Sequence, residues 1–469
     1  MKPKYCRIKR AQPVIRVRPE AVFSKLSQVR CLLDFSVSAL TWSLANSLTS
    51  FCSKLIAVDS SMRICRTLPP AAAPIPLHEV LKGFSAVFAH NENGYEQFQA
   101  ELQSYFGRNY CFLVSSGRAG LALILQALKQ LYPGRTEVLI PAFTCFSVPA
   151  AIRKAGLAIR LCDVDQQTLD FSHNELKKIM ASNKGNNLLC VLATHLFGYP
   201  ADIASLREII GDEIPIVEDA AQALGGENAG GKLGTLADVG FFSLGRGKAL
   251  STVEGGVILT NRRDMGMALA SLVARQPGYG MAANVKLAIK ALLITILQQP
   301  FLFRLPLSLP FLQLGETLFE HDFPILKMSP VQAALSRNWR GRLRKHQNAR
   351  KKNTKYWAGK LQLSCGSWCR TEQGTCGNLI RFPVLAANGE TREAIVRESR
   401  RKGLGIMPSY PTPINEIAEL AANFAGQGYP NAGEICKKLF TLPLHDYVTS
   451  MDNERICRLL ARHGVIKGS

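Results

Sequence analysis

Three short segments of the sequence carry groups that could act together on one small molecule. The first is a serine- and glycine-containing turn, Ser115–Gly120, between a short apolar run and a helical stretch. The second is an apolar run that ends in the carboxylate of Asp219, and the third is a glycine-rich stretch that contains Lys248. A turn before a helix can bind phosphate through its backbone N–H groups. These residue types indicate a site for a phosphorylated molecule that reacts with an amine.

The turn offers three residues for phosphate binding. Gly117 lets the backbone approach an anion closely, and Ser116 and Arg118 can add side-chain donors. Taken alone, most such turns are simply helix N-caps. The hypothesis that this turn binds phosphate therefore needs supporting residues elsewhere in the chain.

Asp219 closes the sequence Ile216-Val217-Glu218-Asp219, which reads as a buried strand. The ends of strands in α/β sheets are the places where such sheets bind ligands. A carboxylate there would keep the nitrogen of a pyridine ring protonated, because an adjacent negative charge favours the charged form. The alternative is an acid that only caps the following helix.

Lys248 follows Asp219 by 29 residues (248 − 219), with about one further strand between them. This separation lets both residues reach the same edge of a sheet. A partly desolvated lysine close to Arg246 would lose its proton more readily and react as an amine. The alternative is a solvated surface lysine. An amine, a carboxylate and a phosphate cup are what a pyridoxal 5'-phosphate site requires, so we predict that cofactor, with Lys248 and Asp219 as catalytic residues.

The elements that would position these groups alternate between apolar runs and helical stretches from about residue 77 onward. This alternation predicts an α/β fold with crossover helices. The predicted strands are Glu137–Ile140, Ala158–Val164, Leu188–His195, Pro215–Asp219, Val239–Leu244 and Gly255–Thr260. The predicted helices are Ala119–Leu131, Val331–Trp357 and Asp452–His463.

Composition divides the chain into three parts. Residues 1–75 are basic and end in the proline- and alanine-rich stretch Leu68–Pro76, which reads as a linker. They resemble a transit peptide in composition. The alternatives are a dispensable extension, or a misassigned start upstream of a true start at Met62. Residues 76–327 form the predicted large domain, and residues 328–469 form the smaller C-terminal domain.

An apolar insert at about residues 284–314 stands out within the large domain. Lys286, Lys290 and Arg304 interrupt it and prolines break it, so no helical run reaches the roughly 20 residues that a membrane span requires. An interfacial hairpin that touches a membrane is one reading. A buried or dimer-facing segment is the other.

Charge and cysteine content bear on partners and compartment. The 57 Lys and Arg residues against 35 Asp and Glu give a formal charge of +22, which suits anionic partners. The 13 cysteines contain no CxxC pair and indicate reduced thiols in a cytoplasmic compartment. Cys365, Cys369 and Cys376 lack a fourth ligand at suitable spacing, so we expect no metal. No reader motif for nucleic acid is recognised.

Four motifs occur in an order and at separations that resemble the DegT/DnrJ/EryC1/StrS sugar aminotransferase family, within the fold-type-I pyridoxal-phosphate enzymes. They cover the Ser-Gly turn, the proline- and threonine-containing segment, the acidic strand end and the lysine segment. The four segments are Ser116–Leu121, Pro141–Val148, Glu218–Gly225 and Phe242–Gly256. The resemblance implies a large, mixed but mostly parallel sheet flanked by helices, plus a smaller C-terminal α+β domain.

The resemblance also implies roles. Lys248 would form the Schiff base and Asp219 would face the ring nitrogen, with Gln222 near the ring hydroxyl. The residues expected to bind the cofactor are Ser116, Gly117, Arg118, Cys145, Asp219, Gln222, Ser243 and Lys248. Family members are homodimers, and most move an amino group from glutamate to a nucleotide-linked keto sugar, for polysaccharides or secondary metabolites. One branch has histidine instead of the lysine and acts as a dehydratase, which Lys248 argues against.

Departures from the family pattern concentrate around the substrate. Arg118 replaces a threonine, and Cys145 replaces the aromatic residue that stacks on the ring, a role open to Phe143 or Phe146. The segment Ile325–Met328 lacks the asparagine that crosses to the partner subunit, and the late His-Tyr-Pro motif reads Ser409–Pro411. Cofactor chemistry is thus expected to be intact and the substrate pocket divergent.

Two alternatives remain open at this point. The chain could be a divergent relative that acts on another keto substrate. It could also be a regulatory or membrane-associated binding protein, as the high charge, the basic helix Arg337–Lys355 and the apolar insert indicate. Retention of both Lys248 and Asp219 favours the enzyme.

Overall fold

The computed structural model describes residues 66–88, 93–182, 187–309, 317–361 and 378–466. All of them fall within one compact unit, Ile64–Ser469. The segment 1–65 and the three cysteines considered for zinc lie outside the described residues.

A seven-stranded sheet forms the centre of the molecule, in the order β1-β9-β8-β5-β4-β2-β3. Only β9 runs against its neighbours, and the other pairings are parallel. All seven residues of β4 are buried, as expected for a central parallel strand covered on both faces. The strands are β1 Tyr110–Val114, β2 Glu137–Pro141, β3 Ala158–Cys162, β4 Leu188–Thr194, β5 Ile216–Asp219, β8 Val239–Ser243 and β9 Gly256–Thr260. All six predicted strands are confirmed within two residues at each end.

Helices cover this sheet, because each parallel connection must cross over its face. The helix α3 after β1 buries ten of its residues in the core. The helices up to the insert are α1 Leu77–Phe88, α2 Asn93–Phe106, α3 Gly117–Leu131, α4 Ser147–Lys154, α5 His173–Ala181, α6 Ile203–Ile210, α7 Arg263–Ala274, α8 Met281–Leu297 and α9 Arg304–Leu307. A short hairpin of β6 Glu227–Asn228 and β7 Gly231–Lys232 follows β5.

The C-terminal part forms a separate three-stranded antiparallel sheet in the order β10-β12-β11, with helices packed against it. Its own apolar cluster includes Trp357, Phe382 and Phe440. The elements are α10 Pro330–Leu335, α11 Trp339–Lys360, β10 Arg381–Leu385, α12 Gly389–Lys402, β11 Met407–Pro408, α13 Pro430–Lys438, β12 Leu439–Pro443 and α14 Ser450–Arg462. This confirms the α/β class with a smaller α+β part, while the boundary between residues 327 and 328 stays a prediction.

The predicted helix Val331–Trp357 is wrong as a single element. The chain breaks between α10 and α11, where Asn338 takes a left-handed conformation with φ of 50°. Asparagine adopts that conformation more readily than most residues, because its short polar side chain can hydrogen-bond locally.

The stretch Leu68–Pro76, which was predicted to be a linker, is instead part of the compact unit Ile64–Ser469. Leu68, Ala72, Ala73 and Ile75 are at most 3% exposed. The N–H of Leu68 donates to the carbonyl of Gly403 at 2.9 Å. Proline and alanine are compatible with this role, because an extended segment can pack through its side chains while bonding to loops.

The apolar insert forms α8, a turn and the short α9 within its described residues. One face of α8 is buried through Leu287, Ala288 and Ala291, in a cluster with residues of α1 and α10. The prediction of a buried segment is therefore confirmed for this face of α8. Ile296 and Phe301, farther along the insert, are 42% and 59% exposed.

Candidate active site

A cavity of about 520 Å³ opens at the edge of the large sheet where the parallel strands end. Ser116 after β1 and Ser243 at the end of β8 line one side of it. Because β9 runs in reverse, its first residue, Gly256, lies at this same edge, paired with Val114 and Ser243. The edge therefore gathers segments that are far apart in sequence.

The Ser-Gly turn forms the start of α3. Ser116 is the N-cap residue, and its Oγ accepts a hydrogen bond from the N–H of Ala119 at 3.2 Å. Gly117 packs so closely on the next segment that a Cβ there would lie 2.8 Å from the Cβ of Ser243. The positive end of the helix thus meets two serines at the cavity, which is the arrangement that binds a phosphate.

Asp219 ends β5 and is only 5% exposed. Burial raises the pKa of its carboxyl group. The N–H of Ala221, which donates to Oδ1 at 3.0 Å, and the nearby charge of Lys248 act in the opposite direction. A positively charged partner, such as a protonated ring nitrogen, would favour the ionised form of this carboxylate.

Lys248 lies in the loop after β8, within electrostatic range of Asp219. Burial lowers the pKa of its amine, Cys145 and Asp219 oppose that shift, and the charge of Arg381 adds to it. A lowered pKa leaves more of the amine neutral and therefore nucleophilic. The structure thus brings together the lysine and the carboxylate that the sequence singled out. They are not themselves part of the cavity lining, but Arg381 is.

Gln222 connects the site to the C-terminal part. Its Nε2 donates to the hydroxyl of Tyr410 at 3.1 Å, and its Oε1 accepts from the N–H of Phe197 at 3.1 Å. Tyr410 packs against the rings of Phe143 and Phe146, with centroids 5.3 and 6.4 Å away. The two phenylalanines considered as replacements for the stacking aromatic are therefore engaged with Tyr410.

Glu218 and His195 fix the strand ends behind Asp219. The carboxylate of Glu218 is fully buried and accepts from the Nε2 of His195 at 2.9 Å and from the N–H groups of Gly234 and Ala237. The Nδ1 of His195 accepts from the N–H of Ala201 at 3.0 Å, so the ring is neutral with its proton on Nε2. The sequence placed Glu218 in a motif and His195 at the end of a predicted strand, but it did not show that they position the strand ends.

Arg118 and Cys145 differ in how they fit their predicted roles. Arg118 lines the cavity, but its guanidinium pairs with Glu320 at 3.1 Å and lies over the ring of Phe323 at 4.7 Å. Cys145 is partly buried, and its Sγ accepts from the hydroxyl of Ser147 at 3.1 Å. The charge of Arg118 is thus already compensated within the chain.

Pyridoxal phosphate fits the donor set found here. The start of α3, Ser116 and Ser243 suit its phosphate, Asp219 suits its ring nitrogen, and Lys248 suits its aldehyde. Among the described residues, no group of three or more His, Cys, Asp or Glu side chains is placed to hold a metal ion. Within the same residues, no helix is long and apolar enough to cross a bilayer.

A mixed sheet with one reversed strand, helices on its faces and a small C-terminal sheet is the architecture of the fold-type-I pyridoxal-phosphate transferases. The chain belongs to the DegT/DnrJ/EryC1/StrS aminotransferase family, whose model matches residues 79–292 and 316–461. The family match thus omits residues 293–315, in the second half of the apolar insert.

Curated relatives align over part of the chain. L-glutamine:2-deoxy-scyllo-inosose aminotransferase from Streptomyces fradiae is 29% identical over 42% of this chain and 46% of its own length. GDP-4-keto-6-deoxy-D-mannose 3-dehydratase from Yersinia pseudotuberculosis is 29% identical over 36% of this chain and 44% of its own. The chain therefore spans less than half the length of these relatives.

Solved structures show the same fold over most of the chain. A DegT DnrJ EryC1 StrS aminotransferase from Brucella abortus has a TM-score of 0.64 at 19% identity, covering 83% of this chain and 96% of its own. The GDP-4-keto-6-deoxy-D-mannose-3-dehydratase of E. coli with bound hydrated PLP has a TM-score of 0.63 at 19% identity, covering 86% and 100%.

Proposed function

We propose that the chain is a pyridoxal-phosphate-dependent aminotransferase that moves an amino group, from glutamate, to a nucleotide-linked keto sugar. The observation that supports this proposal most is the mutual electrostatic influence of Lys248 and Asp219, near a cavity lined by Ser116 and Ser243, in a member of this family. The product would serve polysaccharide or secondary-metabolite biosynthesis.

Each residue has a distinct task in this proposal. When bound, pyridoxal phosphate supplies an electron sink for the carbon that carries the amino group. Asp219 holds a proton on the ring nitrogen, because its buried carboxylate favours a charged partner. Lys248 binds the cofactor through Nζ, and the same atom moves a proton to and from the substrate carbon. Ser116 and Ser243 orient the phosphate.

The relatives support a keto sugar or a keto cyclitol as the acceptor. One relative is an aminotransferase named for 2-deoxy-scyllo-inosose, and others are GDP-perosamine synthases. The dehydratase among them marks a second reaction of the family. Lys248 favours amino transfer for this chain, since the resemblance gives the dehydratase branch a histidine at that position.

We also propose a homodimer in the cytoplasm. The six cysteines within the described residues are all free, which supports a reducing compartment. Peripheral membrane contact through the exposed residues of the insert is the alternative setting. A divergent keto substrate, or a purely regulatory or binding role, would be the functional alternatives.

The test is the covalent link between the cofactor and Lys248. Purified protein with pyridoxal phosphate should show visible absorbance, and borohydride should fix the cofactor on the peptide that contains Lys248. Lys248→Ala should abolish this labelling, whereas Lys286→Ala, which removes an exposed lysine from α8, should keep it. A wild-type protein that stays colourless with added cofactor would end the proposal and leave the binding role.

A further inference from the structure

The helix α8, at the start of the apolar insert, is apolar on two opposite faces. Its buried face packs in a cluster with residues of α1 and α10. The helical period places five residues on the opposite side, and all five are partly or largely exposed. This outward face consists of Lys286, Ile289, Leu293, Ile296 and Leu297. A surface helix normally has polar residues on its outer side, so four apolar side chains there require an explanation.

The chain that follows α8 carries further exposed apolar side chains. Phe301, in the turn before α9, is 59% exposed. Leu302 in the turn and Leu305 in α9 are partly exposed. These three residues and the outward face of α8 are called the insert surface below. Clusters of exposed apolar side chains mark places where a protein contacts another molecule or a membrane.

The charge of the insert is positive along its whole length. Residues 265–315 include Arg275, Lys286, Lys290 and Arg304 but no Asp or Glu. Lys290 pairs with Glu254. Lys286 and Arg304 are exposed, and neither forms an ion pair with a residue that the structure describes. Basic side chains beside exposed Ile, Leu and Phe form the kind of surface that binds a bilayer containing anionic lipid.

A second copy of the chain fits this surface less well. The family match omits residues 293–315, so subunit contacts common to the family do not need this segment. A contact between two copies of the insert would also bring like charges together, because the segment contains no acid. Charge complementarity therefore favours an anionic bilayer over another subunit.

The insert also connects this surface to the cavity. Gln298, Phe303 and Leu307 line the cavity, and the exposed Ile296 and Phe301 lie between or beside them in the chain. A bilayer on the insert surface would therefore contact the same short segment that forms part of the cavity lining.

We propose that the insert surface docks the protein on a bilayer that contains anionic lipid. Ile296 and Phe301 enter the apolar region of the interface, while Lys286 and Arg304 lie against the lipid phosphates. This docking adds a surface to the cytoplasmic setting proposed above. It does not depend on the aminotransferase activity, so it can be tested without cofactor or substrate.

The experiment measures flotation of the full chain with two kinds of vesicle. One contains phosphatidylcholine alone, and the other contains equal parts of phosphatidylcholine and phosphatidylglycerol. Wild type should float with the anionic vesicles, and added salt should weaken this binding. The double variant Ile296→Ser, Phe301→Ser should lower the affinity about 10-fold, and Lys286→Gln, Arg304→Gln should lower it by a similar factor. A wild type that does not float with the anionic vesicles would overturn the proposal.

Matched controls remove the same kinds of side chain elsewhere. Met267→Ser, Met451→Ser changes two residues that are 61% and 69% exposed, on α7 and α14. Lys351→Gln, Lys352→Gln removes two exposed charges from the basic helix α11. Both controls should bind within about twofold of wild type, as is usual for surface changes. An equal loss for controls and insert variants would overturn the proposal, because general charge attraction or nonspecific apolar contact would then explain the binding.

Two further measurements separate docking from a fault in folding and from a contact between subunits. All variants should keep the wild-type Tm, because the altered side chains are exposed; if the apolar pair lowers it, the Lys286 and Arg304 pair decides. Light scattering without lipid should give the wild-type mass for every variant. A fall in mass for Ile296→Ser, Phe301→Ser would assign the surface to a second copy and overturn the proposal. Borohydride labelling of Lys248 should be equal in all variants, so a failure of the proposed function remains distinguishable.

Discussion

The two sides of the cavity differ in where their residues come from. The cofactor side is built from the turn at Ser116, the end of β8 at Ser243 and the loop of Lys248, all inside the range of the family match. A second part of the lining, here called the second wall, includes Pro70, Ala71, Phe303 and Leu307, which all lie outside that range. If the proposed function is correct, we expect cofactor chemistry and substrate recognition to depend on these two parts of the chain separately.

Hydrogen bonds connect the chain segments that form the second wall. The N–H of Thr67 donates to the carbonyl of Pro300 at 2.7 Å, and the Nε2 of Gln298 donates to the carbonyl of Ala71. The Nε2 of Gln299 donates to the hydroxyl of Tyr447 at 3.0 Å. The difference teaches that one cavity can be lined both by segments that follow the family pattern and by segments outside it, which are held by contacts particular to this chain.

The largest expected effect falls on the cofactor side. Asp219→Asn removes the charge that would hold the ring nitrogen protonated, so we expect a loss of about 10³-fold in the half-reaction with L-glutamate. Single-turnover absorbance measures it. Asp212→Asn, whose side chain is 96% exposed, is the matched control. Retention of wild-type rate by Asp219→Asn would break the comparison, because the cofactor side would then not depend on this carboxylate.

The next effect concerns the stability contributed by residues 66–76, which include Pro70 and Ala71 of the second wall. A chain that starts at Leu77 loses the buried Leu68 and Ile75, and we expect a loss of about 3–6 kcal/mol in the free energy of unfolding. A chain that starts at Met62 keeps both residues and should unfold like the full chain. Urea unfolding of the three proteins provides the measurement. Equal stability of all three would show that residues 66–76 contribute nothing to the fold.

A smaller effect is expected from the insert itself. The double variant Phe303→Ala, Leu307→Ala should change kcat/KM for keto-sugar acceptors by about 10-fold, in line with the value of small apolar contacts. Cofactor affinity should stay unchanged. Phe301→Ala, in the same segment but 59% exposed, serves as the control. A loss of cofactor affinity in the double variant would mean that the two sides are not separate.

The smallest effect is a shift along the pH axis. Burial lowers the pKa of Lys248, so the neutral amine should appear below the pH at which an ordinary lysine deprotonates. The rate at which the apoprotein takes up pyridoxal phosphate should rise with pH and reach its plateau at a lower pH than it would with an ordinary lysine. Asp219→Asn removes a charge that raises this pKa, so its midpoint should lie lower still. A midpoint that moves upward in this variant would contradict the electrostatic coupling of the two residues.

Local sequence patterns predicted most of the features on the cofactor side of the cavity. Apolar runs and glycine-rich turns fixed the six predicted strands to within two residues, because buried parallel strands need continuous apolar sequence. The same order placed Asp219 at the end of β5 and Lys248 in the loop after β8, and the ends of parallel strands meet at one edge of a sheet. Cys145 was found through the resemblance and Arg118 from its place in the turn, although the structure pairs Arg118 with Glu320.

Other features depended on contacts between distant residues and left no local signal. The burial of residues 66–76 depends on Gly403 and on His445, whose Nε2 donates to the carbonyl of Pro69 at 2.7 Å. The break at Asn338 and the contact of the Arg381 guanidinium with the Sδ of Met407 depend in the same way on what packs around them. The sequence by itself determined six of the seven strands of the large sheet and the candidates for the reacting groups, because these follow from periodicity and residue type. Only the tertiary structure decided which segments line the cavity and which side chains pair within it, because burial and pairing are properties of neighbours in space.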